Sequence, residues 1–111
     1  MKTLVLPVKK RWFDAIARGD KVFEYRLASR YWRTRLVNKH YDRIVITLGY
    51  PSKSDASRRL EFDWHGCVLV TGFVHEEWGN KPVDVFAIAL QTDAKEVNQL
   101  SYLGENHEIH V

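Results

Sequence analysis

The sequence holds a single cysteine, Cys67, among 111 residues. One thiol closes no internal disulfide and builds no cysteine zinc site, so the chain reads as a cytoplasmic protein. No apolar run comes near the roughly 18 residues that a membrane helix needs, and no membrane partner is expected. The opening MKTLVLPVKK carries an apolar stretch of only about five residues before charge returns, too short for a signal peptide. G-x-S-x-G, P-loop and dinucleotide fingerprints are missing, as are internal repeats and linkers. What is there suits a packed core: 45% hydrophobic and 28% charged residues, with 4 Trp, 5 Tyr and 5 Phe. That composition excludes disorder and low complexity, and the length suits one domain.

Charge is uneven along the chain. Met1 to Arg59 carries 15 Lys/Arg against 5 Asp/Glu, a net +10, and Leu60 to Val111 carries 2 against 9, a net −7. Basic residues recur in the first part: Lys9, Lys10 and Arg11, then Arg30, Arg33, Arg35 and Lys39, then Lys53, Arg58 and Arg59. Tyr31, Trp32, Tyr41 and Tyr50 lie between them. Cations attract phosphates and aromatic rings stack on bases, so the pattern suits single-stranded nucleic acid or a nucleotide. The other reading is a solvated surface balanced by the acidic part.

Thr3 to Leu6, ahead of Pro7, predicts a first strand. Trp12, Phe13 and Ile16 make one apolar stripe, predicting a helix from Lys9 to Arg18 that Gly19 stops. Phe23, Tyr25 and Leu27 alternate with Val22, Glu24 and Arg26, predicting a strand over Lys21 to Leu27. Ser29 predicts the cap of a second helix reaching about Val37. Arg43 to Leu48 is apolar on both faces and predicts an interior strand. Leu60 to Trp64, Cys67 to Val74 and Val83 to Leu90 predict three more strands, with turns at His65-Gly66 and at Gly79 to Pro82. The fold class expected is α+β: a small closed or nearly closed mixed β-barrel of five to six strands with two helices, whose closure removes exposed edges. The barrel would occupy residues 1–90. Residues 91–111 would form an extension, with a short helix over Ala94 to Leu103 and a frayed end.

The richest segment is Gly19-Asp20-Lys21-Val22-Phe23-Glu24-Tyr25-Arg26. Glu24 and Arg26 are two apart on a strand and share a face. Lys21 joins them only if the strand starts after it or a bulge intervenes. If the three converge, Arg26 can hold Glu24 or a phosphate in a fixed orientation, and Lys21 serves as a base or as a cation that polarises a carbonyl. The alternative is a surface charge ladder worth about 0 to 1 kcal/mol per pair.

This octapeptide fits the pattern G-x-K-x-x-E-x-R and resembles the signature of the ASCH domain, a small β-barrel family of the PUA-like superfold. The preceding helix, the Tyr31-Trp32 pair, the strand ending Gly49-Tyr50-Pro51 and the Phe86 to Leu90 strand follow in the order seen in ASCH proteins of bacteria and their phages. The resemblance covers roughly Thr3 to Leu90. It implies a cleft lined by Lys21, Glu24 and Arg26, and a nucleoside or RNA ligand. Some small members hydrolyse N4-acylated cytidines, and another is reported as a ribonuclease. In the hydrolases the lysine matching Lys21 works with a hydroxyl residue three positions on and a later glutamate. This chain has Glu24 at the first of those positions. Glu76 or Glu77 is the candidate for the second.

Two functions follow as expectations. One is a metal-independent amidohydrolase acting on N4-acylated cytidine, with Lys21, Glu24 and Arg26 catalytic and Thr47, Thr71 and Tyr50 as hydrogen-bonding partners. The other is a non-catalytic RNA- or nucleotide-binding module, in which Arg30, Tyr31, Trp32, Arg33, Arg35, Tyr50 and Lys53 contact the ligand. Ribonuclease activity is a third possibility. No cofactor or metal is expected; His107 and His110 are three apart, a spacing that can serve two ligands but is not the i, i+4 of one helical face. Cys67, among valines, reads as inert core.

Overall fold

The computed structural model describes residues 1–90 and the strand Glu108–His110. The helix expected over Ala94 to Leu103 lies outside the described residues, as does His107. The described chain divides into two compact units, each assembled from separated segments: residues 1–22 with 40–64, and residues 23–39 with 65–111.

In the first unit, strands β1 (Thr3–Val8), β3 (Arg43–Leu48) and β4 (Arg59–Asp63) form a sheet in the order β1-β3-β4. β1 runs parallel to β3 and β4 antiparallel to it. Ile44, Val45, Ile46 and Thr47 are buried in succession, as a central strand covered on both faces requires. β1 continues two residues past the expected stop, through Pro7, whose missing N–H is tolerated at a sheet edge. Helix α1 (Lys10–Ala17) packs on β3 with Phe13 and Ile16 buried. It ends at Gly19, whose φ of 82° only glycine adopts without strain. The chain then folds back, so that the N–H groups of Asp20 and Lys21 both donate to the Ala15 carbonyl, at 2.9 and 3.2 Å.

In the second unit, β2 (Phe23–Leu27), β5 (Cys67–Phe73), β6 (Val83–Ala89) and β7 (Glu108–His110) form an antiparallel sheet in the order β2-β6-β5-β7. Val85 to Ile88 on the interior strand β6 are buried throughout. A register shift between Val70 and Phe73 marks a bulge in β5, and Gly72 there donates to the Asp84 carboxylate at 3.4 Å. Helix α2 (Arg30–Leu36) starts as expected at Ser29, whose hydroxyl accepts the Trp32 N–H at 3.3 Å.

The α+β class and both helices agree with the sequence, but the closed barrel does not. Among the described residues no strand ladder joins the three-stranded sheet to the four-stranded one. The chain leaves one sheet at Asp63 and enters the other at Cys67, and Gly66 between them has a φ of 83°. Consecutive strands that look like a hairpin therefore pair in different sheets. Alternation fixes which face of a strand is buried but not which edge it joins.

Candidate functional site

The second unit brings Glu24 and Arg26 together. Both lie on the face of β2 shared with Phe86 and Ile88, their register partners on β6. The Arg26 Nη2 donates to the Glu24 Oε2 at 2.9 Å, and Glu24 is only 6% exposed. A pair this buried loses hydration and recovers it only through direct, well-aligned contact. Helix α2 covers this face. The Arg26 guanidinium lies over the Trp32 ring at 5.2 Å, and that of Arg33 over Phe86 at 5.9 Å, while the Arg33 Nε–H donates to the Ala28 carbonyl at 3.0 Å.

Outward from Trp32 the stacking continues. Tyr31 meets Trp32 edge-on at 5.1 Å, and the Arg35 guanidinium sits 3.5 Å from the Tyr31 ring centroid. Tyr31 is 55% exposed, and Arg30, Arg33 and Arg35 are exposed as well. The helix RYWRTRL carries three arginines and no acidic residue. One connected series thus runs from solvent to the sheet: Arg35, Tyr31, Trp32, Arg26, Glu24. Guanidinium groups flanking a pair of aromatic rings suit π-faced, negatively charged ligands.

Lys21 belongs to the first unit. The strand begins at Phe23, so the alternation that would turn Lys21 away from Glu24 does not govern it. Its ammonium lies 5.3 Å from the centroid of Trp12 in α1, and the Arg11 guanidinium lies 4.2 Å from that same centroid. The apolar stripe expected of α1 grouped Trp12 with Phe13 and Ile16 and missed this pairing, whose one signal in the sequence is the arginine that precedes the tryptophan. Thr47 is 3% exposed and its hydroxyl donates to the Gly49 carbonyl at 2.7 Å, bracing the turn after β3. Tyr50 is 92% exposed beyond that turn, and Lys53 is exposed in the following loop. In that loop Asp55 accepts from the Ser57 hydroxyl and N–H, and this bonding holds its carboxyl below the usual range.

Glu76 and Glu77 are exposed in a 3-10 turn, Glu76–Trp78, whose preceding residue His75 accepts the Glu77 N–H at Nδ1. That turn is tied to the other face of β2: His75 and Trp78 pack on Phe73, and Phe73 packs on Tyr25 at 4.8 Å. Burial first, and the Glu24 charge second, push the Tyr25 phenol up to about 12. Thr71 lies on β5. Cys67 is buried on the same strand, and burial pushes its thiol up to about 12, so it carries no nucleophilic thiolate. Among the described residues no three His, Cys, Asp or Glu side chains are grouped to hold a metal ion, and no helix is long and apolar enough to cross a membrane.

Compared with family models, with curated proteins and with solved structures, the chain matches none.

Proposed function

We propose that this chain is an ASCH-type protein that recognises a nucleoside within single-stranded RNA. The observation carrying this reading is the connected series of contacts from Arg35 through Tyr31 and Trp32, on a helix free of acidic residues, to the Arg26–Glu24 pair of β2. In this reading Tyr31 and Trp32 offer stacking surface, Arg30, Arg33 and Arg35 meet phosphates, and the Arg26–Glu24 pair offers a fixed donor–acceptor edge for a base.

Fluorescence anisotropy with a labelled single-stranded RNA octamer, titrated at several salt concentrations, tests it. Wild type binds with log K falling linearly in log salt. Removing Arg30, Arg33 and Arg35 together flattens that slope by about two, at roughly 0.7 for each phosphate no longer neutralised. Tyr31→Ala weakens binding about tenfold. RNA that fails to bind, or binds independently of salt, refutes the reading.

The buried, oriented Glu24 carboxylate favours a second reading, hydrolysis of N4-acylated cytidine, because burying an ion pair merely to hold phosphate is costly. Water adds to the acyl carbonyl, the C–N bond breaks, and cytidine and a carboxylic acid leave. Glu24, held by Arg26, takes a proton from water and returns it to N4 of the departing cytidine. Cytidine release from N4-acetylcytidine, lost in Glu24→Gln, supports this reading. No release from wild type between about pH 6 and 9 rejects it.

A further inference from the structure

Tyr50 is the most exposed aromatic side chain among the described residues. A lone exposed ring is ordinary on a protein surface. This one stands on a loop that is held in place. Pro51 follows it and fixes its own φ through its ring. The Arg59 Nη2 reaches back from β4 and donates to the Ser52 carbonyl at 3.1 Å, with the Pro51 carbonyl at 3.5 Å. The Asp55 N–H donates to the same Ser52 carbonyl at 3.1 Å. The backbone beside Tyr50 is thus pinned while its ring stays in water. A ring with two rotatable torsions on a fixed backbone loses little freedom when a flat group stacks on it. Charge in the loop favours an anion. Between Tyr50 and Leu60, Lys53, Arg58 and Arg59 stand against Asp55 alone. Asp55 is already engaged, by Ser57 and by the Arg58 Nε at 3.2 Å. The Arg58 side chain is still 56% exposed, and Lys53 is exposed and forms no ion pair among the described residues. A single strand offers a bare base face and a phosphate within one nucleotide, which is the combination this loop meets; a duplex hides its base faces.

We infer that residues 50–58 form a second contact for single-stranded RNA, in the first unit: a base stacks on Tyr50, and Lys53 and Arg58 meet the phosphates beside it. This rests on RNA being the ligand, as proposed above, and adds a site that lies off helix α2.

Incorporation of 3-fluorotyrosine into the full chain gives each of the five tyrosines its own 19F NMR signal. The Tyr50 and Tyr31 signals are identified by their loss in Tyr50→Phe and Tyr31→Phe. Titration with the single-stranded RNA octamer moves the Tyr50 signal to saturation. An octamer of the same backbone without bases leaves it in place, and an equal shift with that strand overturns the stacking. A Tyr31 signal that moves while Tyr50 stays still overturns this inference and leaves the α2 site standing. The converse result fails the α2 site and keeps this one, and two still signals overturn both. Anisotropy then reads the consequence: Tyr50→Ala weakens octamer binding about tenfold, and Tyr50→Phe leaves it within about twofold of wild type. Lys53→Ala flattens the salt slope by roughly 0.7. Since the Tyr50 ring lies in water, Tyr50→Ala keeps the urea midpoint of wild type. A binding loss accompanied by a fall in that midpoint assigns the ring to the fold and overturns the inference, as does an unchanged affinity.

Discussion

Arg26→Ala should be the most informative single change in the molecule. The pair it breaks has side chains 19% and 8% exposed, joined at 2.9 Å. Removing the guanidinium leaves the Glu24 carboxylate buried beside the apolar residues of β6, and it also takes a cation from the Trp32 ring. Breaking a buried pair from one side costs about 3 to 5 kcal/mol. Arg26 keeps a fifth of its side-chain exposure, so the lower figure applies. At about 4 °C per kcal/mol for a chain of this size, Tm falls by about 12 °C. Replacing both partners, as Glu24→Met with Arg26→Met, removes both charges and returns stability to within about 1 kcal/mol of wild type. Urea unfolding followed by circular dichroism and by tryptophan fluorescence, with m-values compared, measures Arg26→Ala beside the cycle of wild type, Glu24→Met, Arg26→Met and the double variant. If Arg26→Ala costs under about 1 kcal/mol, or if the single changes simply add, the pair is neither buried nor coupled and the reasoning fails. The double variant also separates fold from function. Restored stability together with lost RNA binding means that the pair serves the ligand rather than the sheet.

Two further outcomes follow from buried polar groups. Tyr25 and Cys67 are both pushed up to about 12, from ordinary values of 10.0 and 9.0. Each stays protonated when folded and ionises first in the unfolded chain, so the stability it contributes is intact below the unfolded value and is lost as pH rises toward the folded one. The urea midpoint should hold from neutral pH to about 9 and fall steadily above it; a midpoint level through about pH 11 contradicts this. Thr47→Val leaves the Gly49 carbonyl without its donor and should cost about 1 kcal/mol in urea unfolding while leaving RNA affinity unchanged. A loss of RNA binding at full stability would return Thr47 to the site.

Much of the local structure was legible in the residues. The β3 run has the apolar Ile44, Val45 and Ile46 in succession and is central in its sheet, and the α1 stripe of Phe13 and Ile16 is buried as its spacing demands. Ser29 caps α2 because its hydroxyl meets the Trp32 N–H that the helix leaves unpaired. Period-two spacing likewise placed Glu24 and Arg26 on one face, where they form their pair. Pro7 misled, because its cost depends on whether the strand is an edge, a property of the sheet rather than of the strand.

The sequence by itself determined the elements, their buried faces and the clustering of cations around α2, since each follows from neighbours within about one or two helical turns along the chain. Only the tertiary structure decided which strands pair, that β4 and β5 enter different sheets, that Trp32 covers Arg26, and that the Glu76–Trp78 turn is tied to the Tyr25 face of β2. Those relations depend on strand edges and register, and backbone hydrogen-bonding groups are alike at every residue but proline. Pairing is therefore settled by which surfaces the whole chain can bury together, and no local pattern encodes it.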